Sequence, residues 1–247
     1  MIWPVILPAA AAAAGAGATL GYASMAPQSQ LFGETLAHGS DPKQMALTYD
    51  DGPNDPDTPR LLDVLARHEV KATFFLIGRF VKEKPQIARR IAEAGHDIGN
   101  HTYTHPWLLA APLERVRREL RDCEQALDDA VGEHSNFFRP PHGARRPAVL
   151  KAVREEGLLP VMWSVTCFDW NPVSADHVEQ KAVRGIGKRP GVGNIVLLHD
   201  GGHLAMGTDR AHTVEASDRL IRRYKSDGYQ FVNIDQMAFS HGRRVTS

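Results

Sequence analysis

The segment Gly99-Asn100-His101-Thr102-Tyr103-Thr104-His105-Pro106 sets two imidazoles four residues apart, and a helical turn there would bring both to one side. Two neutral imidazoles facing one point can hold a cation. A histidine pair alone decides little in a chain with 12 histidines, because short motifs also match by chance. A second segment adds to it. In Thr48-Tyr49-Asp50-Asp51-Gly52-Pro53 two adjacent carboxylates end an apolar run, and Gly-Pro turns the chain after them. Like charges so close need a counter-charge, which a metal would supply; the plainer alternative is a turn whose acids cap a helix near Pro59. One carboxylate with two histidines leaves coordination positions open for water, the arrangement of a catalytic rather than a structural metal site. The other carboxylate is then available as a base.

Three further polar clusters lie downstream: Arg139 with His142, Asp169 with Trp170, and His199 with Asp200. Each of the five clusters follows an apolar run with the character of a short buried parallel strand. Those runs are 45–49, 72–77, 97–100, 136–138, 160–164, 195–198 and 230–234. Helices are expected between them. One is capped by Thr58 with Pro59 in its first turn, and one runs from Pro85 to Gly95. Another runs from Pro112 to Gly132, with Leu113, Val116, Leu120, Cys123 and Leu127 along one face. Its arginines alternate with glutamates, which makes a solvated face rather than a polyanion site. Others fit 147–156, 174–186 and 213–225. About seven βα units without a long linker or an internal repeat point to a single α/β barrel. In such a barrel the C-terminal strand ends share one rim, where active sites sit, so clusters spread along residues 50–200 would converge.

The five motifs, in order, are Thr48-Tyr49-Asp50-Asp51-Gly52-Pro53, His101-Thr102-x-x-His105, Arg139-Pro140-Pro141-His142-Gly143, Asp169-Trp170 and Ile195-Val196-Leu197-Leu198-His199-Asp200. Together they resemble the polysaccharide deacetylases of the NodB-homology type, carbohydrate esterase family 4, over about residues 45–234. The resemblance implies a distorted (β/α)7-type barrel and one divalent metal ion, zinc first and cobalt or nickel as alternatives, held by Asp51, His101 and His105. It implies Asp50 as general base, Arg139 as its partner, His199 as general acid and Asp169 as the group that favours the charged form of His199. Trp170 and Leu197 would wall the acetyl pocket, and the backbone N–H of His142 would serve the oxyanion hole. The implied activity is removal of acetyl groups from N-acetylated sugars of a peptidoglycan-like or chitin-like glycan, with an O-acetylated polymer such as xylan as the alternative substrate.

Two positions depart from the family pattern. His142 stands where an aromatic residue, usually Tyr, is expected, and Thr166 stands where the first Asp of an Asp-x-x-Asp-Trp motif is often found. Two histidines and a carboxylate also describe non-haem iron oxygenases, but an adjacent base at Asp50 and a distant acid at His199 serve hydrolysis better. A glycan-binding protein without turnover is the remaining alternative, since a fold does not fix a function.

Composition excludes rather than selects. With 29 basic and 29 acidic residues the chain has no nucleic-acid footprint, and 43% hydrophobic residues suffice for a core. Cys123 and Cys167 lack metal-finger spacing and are too few for a disulfide scaffold. The expected organisation is an apolar N-terminal segment at 1–42, one catalytic domain at 43–240 and a tail at 241–247. No Lys or Arg precedes Lys43, so the apolar start fits a signal or anchor without its basic end, or an arm packed on the domain. Membrane contact, if any, would run through that segment, and a secreted or cell-envelope location follows from it. A monomer is expected.

Overall fold

The computed structural model describes residues 17–240; the expected tail at 241–247 and the first 16 residues of the apolar segment lie outside the described residues. The remainder of that segment begins with a helix, α1 (residues 17–25), and crosses the barrel wall to β1 (His38–Gly39).

The central strand β2 (Gln44–Gly52) carries side chains alternately to two sides, as the period of two requires. Met45, Leu47 and Tyr49 join the larger apolar cluster beneath the helices, whereas Ala46 joins an inner cluster with Phe75, Ile195 and Leu197. Inward-facing residues therefore run through Thr48 to Asp50, and on β8 (Gly193–His199) through Leu197 to His199. The alternation delivers both chemical side chains to the top of the barrel interior.

β8 and β2 pair in parallel, and the sheet continues through β3 (Thr73–Leu76), β4 (Asp97–Asn100), β5 (Phe137–Phe138) and β6 (Leu159–Pro160). Of the expected strand at 160–164 only Pro160 lies in a named strand, β6, which pairs with β5; a separate strand just past it, β7 (Val165–Thr166), pairs with β8. One stretch of chain thus faces both ends of the sheet and curls it round. β9 (Gln230–Phe231) pairs only with the start of β2, so it stays at the base, away from the rim. The expected continuation to residue 234 turns instead into a helix, α9 (Ile234–Ser240). The result is one α/β domain of the distorted (β/α)7-barrel type.

The outer layer follows its local signals. α4 (Pro85–Glu93) and α6 (Pro147–Glu155) open on proline, where the missing N–H has no cost. α5 (Leu113–Val131) stops at Gly132, whose φ of 75° closes the helix in the left-handed conformation. Ser174 caps α7 (Ala175–Gly187) by accepting the His177 N–H at 3.2 Å. α8 is Ala211–Ser226. α2 (Asp57–Arg67) starts one residue ahead of Thr58, which is therefore not its cap. The Thr58 hydroxyl instead accepts the Asn54 N–H at 2.9 Å and donates to Asp200. A short helix, α3 (Gly78–Glu83), follows β3 directly. Among the described residues no helix is long and apolar enough to cross a membrane.

Candidate active site

The rim explains how two neighbouring acids face one place. Opposite β3, Asp50 pairs with Phe75 and Gly52 with Leu76, so Asp51 is the extra residue of a β-bulge. Its φ of 72° is left-handed, a conformation that costs an L-residue roughly 1–2 kcal/mol. The bulge re-aims Asp51 so that it no longer points away from Asp50. The histidines use a related device. Residues 101–105 form no helical turn; Thr102 (φ 66°) and His105 (φ 61°) are left-handed, and the loop folds both rings back over the barrel mouth. His142 (φ 58°) and Phe168 (φ 57°) bring the left-handed rim positions to five. Such strain persists where packing over-determines it, and it clusters at working sites.

Asp51 Oδ1 lies 3.5 Å from His101 Nε2 and 3.3 Å from His105 Nε2. One ligand atom from each of the three lies within 4.8 Å of the others, and all three residues are buried. His101 Nδ1–H donates to the Arg139 carbonyl at 2.7 Å, which turns the lone pair of Nε2 to the cluster. Among the described residues Asp51 Oδ1 has no hydrogen-bond partner, an arrangement that is costly unless a cation completes it. Burial pushes His105 down to about 2, helped by neighbouring His101. Burial would raise the Asp51 carboxyl, but His101, His105 and His199 hold it well below the usual carboxylate range. Neutral imidazole and ionised carboxylate are the states that a divalent ion requires, so these residues fit one.

The paired carboxylates do not share one counter-charge. Arg139, with no exposed surface, donates from Nη1 to Asp50 Oδ1 at 2.7 Å and to Thr48 Oγ1 at 2.8 Å, and from Nη2 to the Met162 carbonyl at 3.1 Å. Its guanidinium lies 4.1 Å from the centroid of Phe75. On the other side of the mouth, His199 Nδ1–H donates to Asp169 Oδ1 at 2.9 Å, and Asp169 Oδ2 accepts the His199 backbone N–H at 2.7 Å and the Thr213 hydroxyl at 2.9 Å. Burial alone would lower His199, but the charge and hydrogen bond of Asp169 push it up to about 9. Its ring is therefore protonated at neutral pH.

Asp50, Asp51, His101, His105 and His199 open on one cleft of about 450 Å³, with Leu197, Trp170 and His142 on its walls. Arg139 and Asp169 lie behind it as supports. The turn at Pro141–Gly143 is closed by the N–H groups of Gly143 and Ala144, at 2.9 and 3.0 Å, rather than by that of His142. The His142 ring stacks on Trp107 at 4.1 Å and 17°. One wall residue had no chemical signal in the sequence. His203 follows two glycines in the loop after β8, and its ring stacks on His105 at 4.5 Å.

The family described as Polysaccharide deacetylase matches residues 37–161. The chain is 39% identical over 196 residues to a peptidoglycan-N-acetylglucosamine deacetylase of Bacillus cereus, spanning 78% of this chain and 68% of the relative. This chain belongs to the polysaccharide deacetylase family. Within that family it is also 37% identical to a chitooligosaccharide deacetylase of Rhizobium leguminosarum bv. trifolii, over 80% of this chain and 93% of the relative. The crystal structure of the Bc1960 peptidoglycan N-acetylglucosamine deacetylase, in complex with 4-naphthalen-1-yl-N-oxidanyl-benzamide, superposes with a TM-score of 0.76. The two are 34% identical, and the match covers 85% of this chain and 94% of that one. Deacetylases of this family are metal-dependent, and Asp51, His101 and His105 form a group that could hold a metal ion.

Proposed function

We propose that this chain is a hydrolase that removes acetyl groups from N-acetylated sugars of a glycan, with Asp51, His101 and His105 holding the metal ion. The observation that carries this reading is the pairing of a supported carboxylate with a supported imidazolium across one cleft: Asp50 on Arg139, and His199 on Asp169. Zinc is the first expectation, and a bound divalent ion would supply water acidified to a pKa near 7 and polarise the acyl oxygen.

Asp50 takes the proton from the attacking water, and Arg139 fixes the carboxylate by a charge-assisted hydrogen bond. The backbone N–H of His142 donates to the acyl oxygen as it gains charge. An amine is a poor leaving group, so the carbon–nitrogen bond breaks only as nitrogen receives a proton. His199 gives that proton from Nε2, while Asp169 holds Nδ1 and the positive charge. Trp170 and Leu197 pack around the acetyl methyl and exclude water. The catalytic unit is taken as residues 43–240; the bonds from Arg145 to the carbonyls of Ala26 and Ser29 support the packed-arm reading for the described part of the N-terminal segment.

The B. cereus and R. leguminosarum relatives are named for N-acetylated glycans, which favours peptidoglycan or chitin-like oligomers over O-acetylated xylan. The test is acetate release from N-acetylglucosamine oligomers, peptidoglycan fragments and acetylated xylan, run without oxygen and with zinc restored to stripped protein. Release by the parent and none by Asp50→Asn, with zinc still bound, is the expected result. Full activity in Asp50→Asn, or turnover that needs iron and oxygen, would overturn the assignment.

A further inference from the structure

The loop between β8 and α8 is tied down along its length. Asn54 Nδ2 donates to the carbonyls of Asp200 at 3.0 Å and Thr208 at 2.8 Å, and its Oδ1 accepts the Gly207 N–H at 2.7 Å. Arg210 Nε donates to the Gly201 carbonyl at 2.7 Å. Arg79, on α3, donates to the carbonyl of His203 itself. Two side chains from outside the loop, Asn54 and Arg79, and Arg210 at the loop's own end therefore fix the backbone on which His203 stands.

That frame points His203 at the metal position. Its ring lies over His105 with 4.5 Å between centroids and 25° between planes, and meets His142 edge-on at 5.4 Å. Its Nδ1 stands 3.8 Å from Asp51 Oδ2. Asp51 Oδ1 is the oxygen that faces His101 and His105, so His203 addresses the other one. At 3.8 Å the pair is too long for a hydrogen bond, so His203 acts on Asp51 by packing beside Oδ2. Asp51 needs such help, because its backbone is strained and Arg139 is engaged with Asp50.

We propose that His203 is a positioning residue for the metal site: it steadies Asp51 through Oδ2 and backs the ring of His105, and so sets how tightly the ion is kept. This role rests on the metal reading given above. His203 neither takes nor gives the protons of the reaction, which belong to Asp50 and His199.

The test measures ion retention directly. Metal-stripped full chain is titrated with zinc against a chromophoric chelator, for the parent and for His203→Ala, His203→Gln and the ligand control His101→Ala, and cobalt spectra are recorded for each. Loss of an outer partner of a metal ligand typically weakens binding about 10–100-fold, and that is expected for His203→Ala. Turnover at limiting zinc should fall with the affinity and be regained in part as zinc is added. His203→Gln, whose planar amide can lie over His105, should recover part of the affinity, and the cobalt spectrum of His203→Ala should shift. Parent-like affinity and spectrum in His203→Ala, with zinc lost only by His101→Ala, would overturn the role of His203 and leave the metal site standing. Zinc binding by none of the proteins would overturn both. Unchanged affinity with a collapse of saturated turnover would make His203 a substrate contact and also overturn the proposal.

Discussion

Arg139 Nη1 and Asp50 Oδ1 lie 2.7 Å apart with neither side chain more than 5% exposed, so each is the buried counter-charge of the other. Arg139→Met removes one partner and leaves the other buried. It is expected to lose about 3–5 kcal/mol of unfolding free energy in urea denaturation. The base also loses its fixed orientation, so kcat/KM should fall by about 100-fold or more. Parent-like stability would mean that water reaches Asp50 in this barrel.

His199 supplies the pH dependence. Its folded value is raised from 6.5 to about 9, so folding favours the protonated ring. The pair with Asp169 therefore contributes fully to stability below pH 6.5, and that contribution fades as pH rises through about 9. Turnover needs the same proton, so kcat/KM should decline on the alkaline side. Asp169→Asn removes the charge that holds the proton, and the alkaline limb is expected to move to lower pH. An unmoved limb would separate His199 from the acid role.

Chelation should be visible without any substrate. An ion that binds only the folded chain stabilises it by about 2.7 kcal/mol when present at about 100 times its dissociation constant. Zinc should raise the melting temperature of stripped parent protein, EDTA should reverse the rise, and Asp51→Ala should show neither. A zinc-induced rise of parent size in Asp51→Ala would remove that residue from the ligand set.

His142 tests backbone against side chain. His142→Tyr keeps the N–H in place, and acetate release is expected within about ten-fold of the parent. A tyrosine ring can keep the stack on Trp107, so KM should change little. His142→Val forces a β-branched residue into φ 58°, with an expected cost of at least 1–2 kcal/mol and a lower kcat. Equal kcat for the two variants would show that the left-handed turn is dispensable.

Much of this site can be read before folding. The clusters that follow the apolar runs put Asp50 and His199 at one shared rim, and Gly132, Pro147 and Ser174 mark helix ends by their own chemistry. What escapes is geometry that no residue type signals. Asp51 reaches the cleft through a bulge set by pairing with β3, and His105 through a left-handed backbone rather than a helical turn. In place of the strand at 160–164 stand two short ones, β6 and β7, with different neighbours, β5 and β8. Thr58 has the composition of a cap, but Asp200, 142 positions away, claims its hydroxyl. His203 sits among glycines and carries no motif; Arg79 and Asn54 locate it from afar.

The side chain of Arg145 donates to the carbonyls of Gly143, Ala26 and Ser29, joining the loop of His142 to the N-terminal arm through one fully buried guanidinium. The arm is therefore a strut of the catalytic mouth. Proteolytic trimming that removes Ala26 and Ser29 would loosen a loop more than a hundred residues downstream while leaving each metal ligand in the chain. The integrity of the arm and the geometry of the loop that carries His142 are in this way mechanically linked.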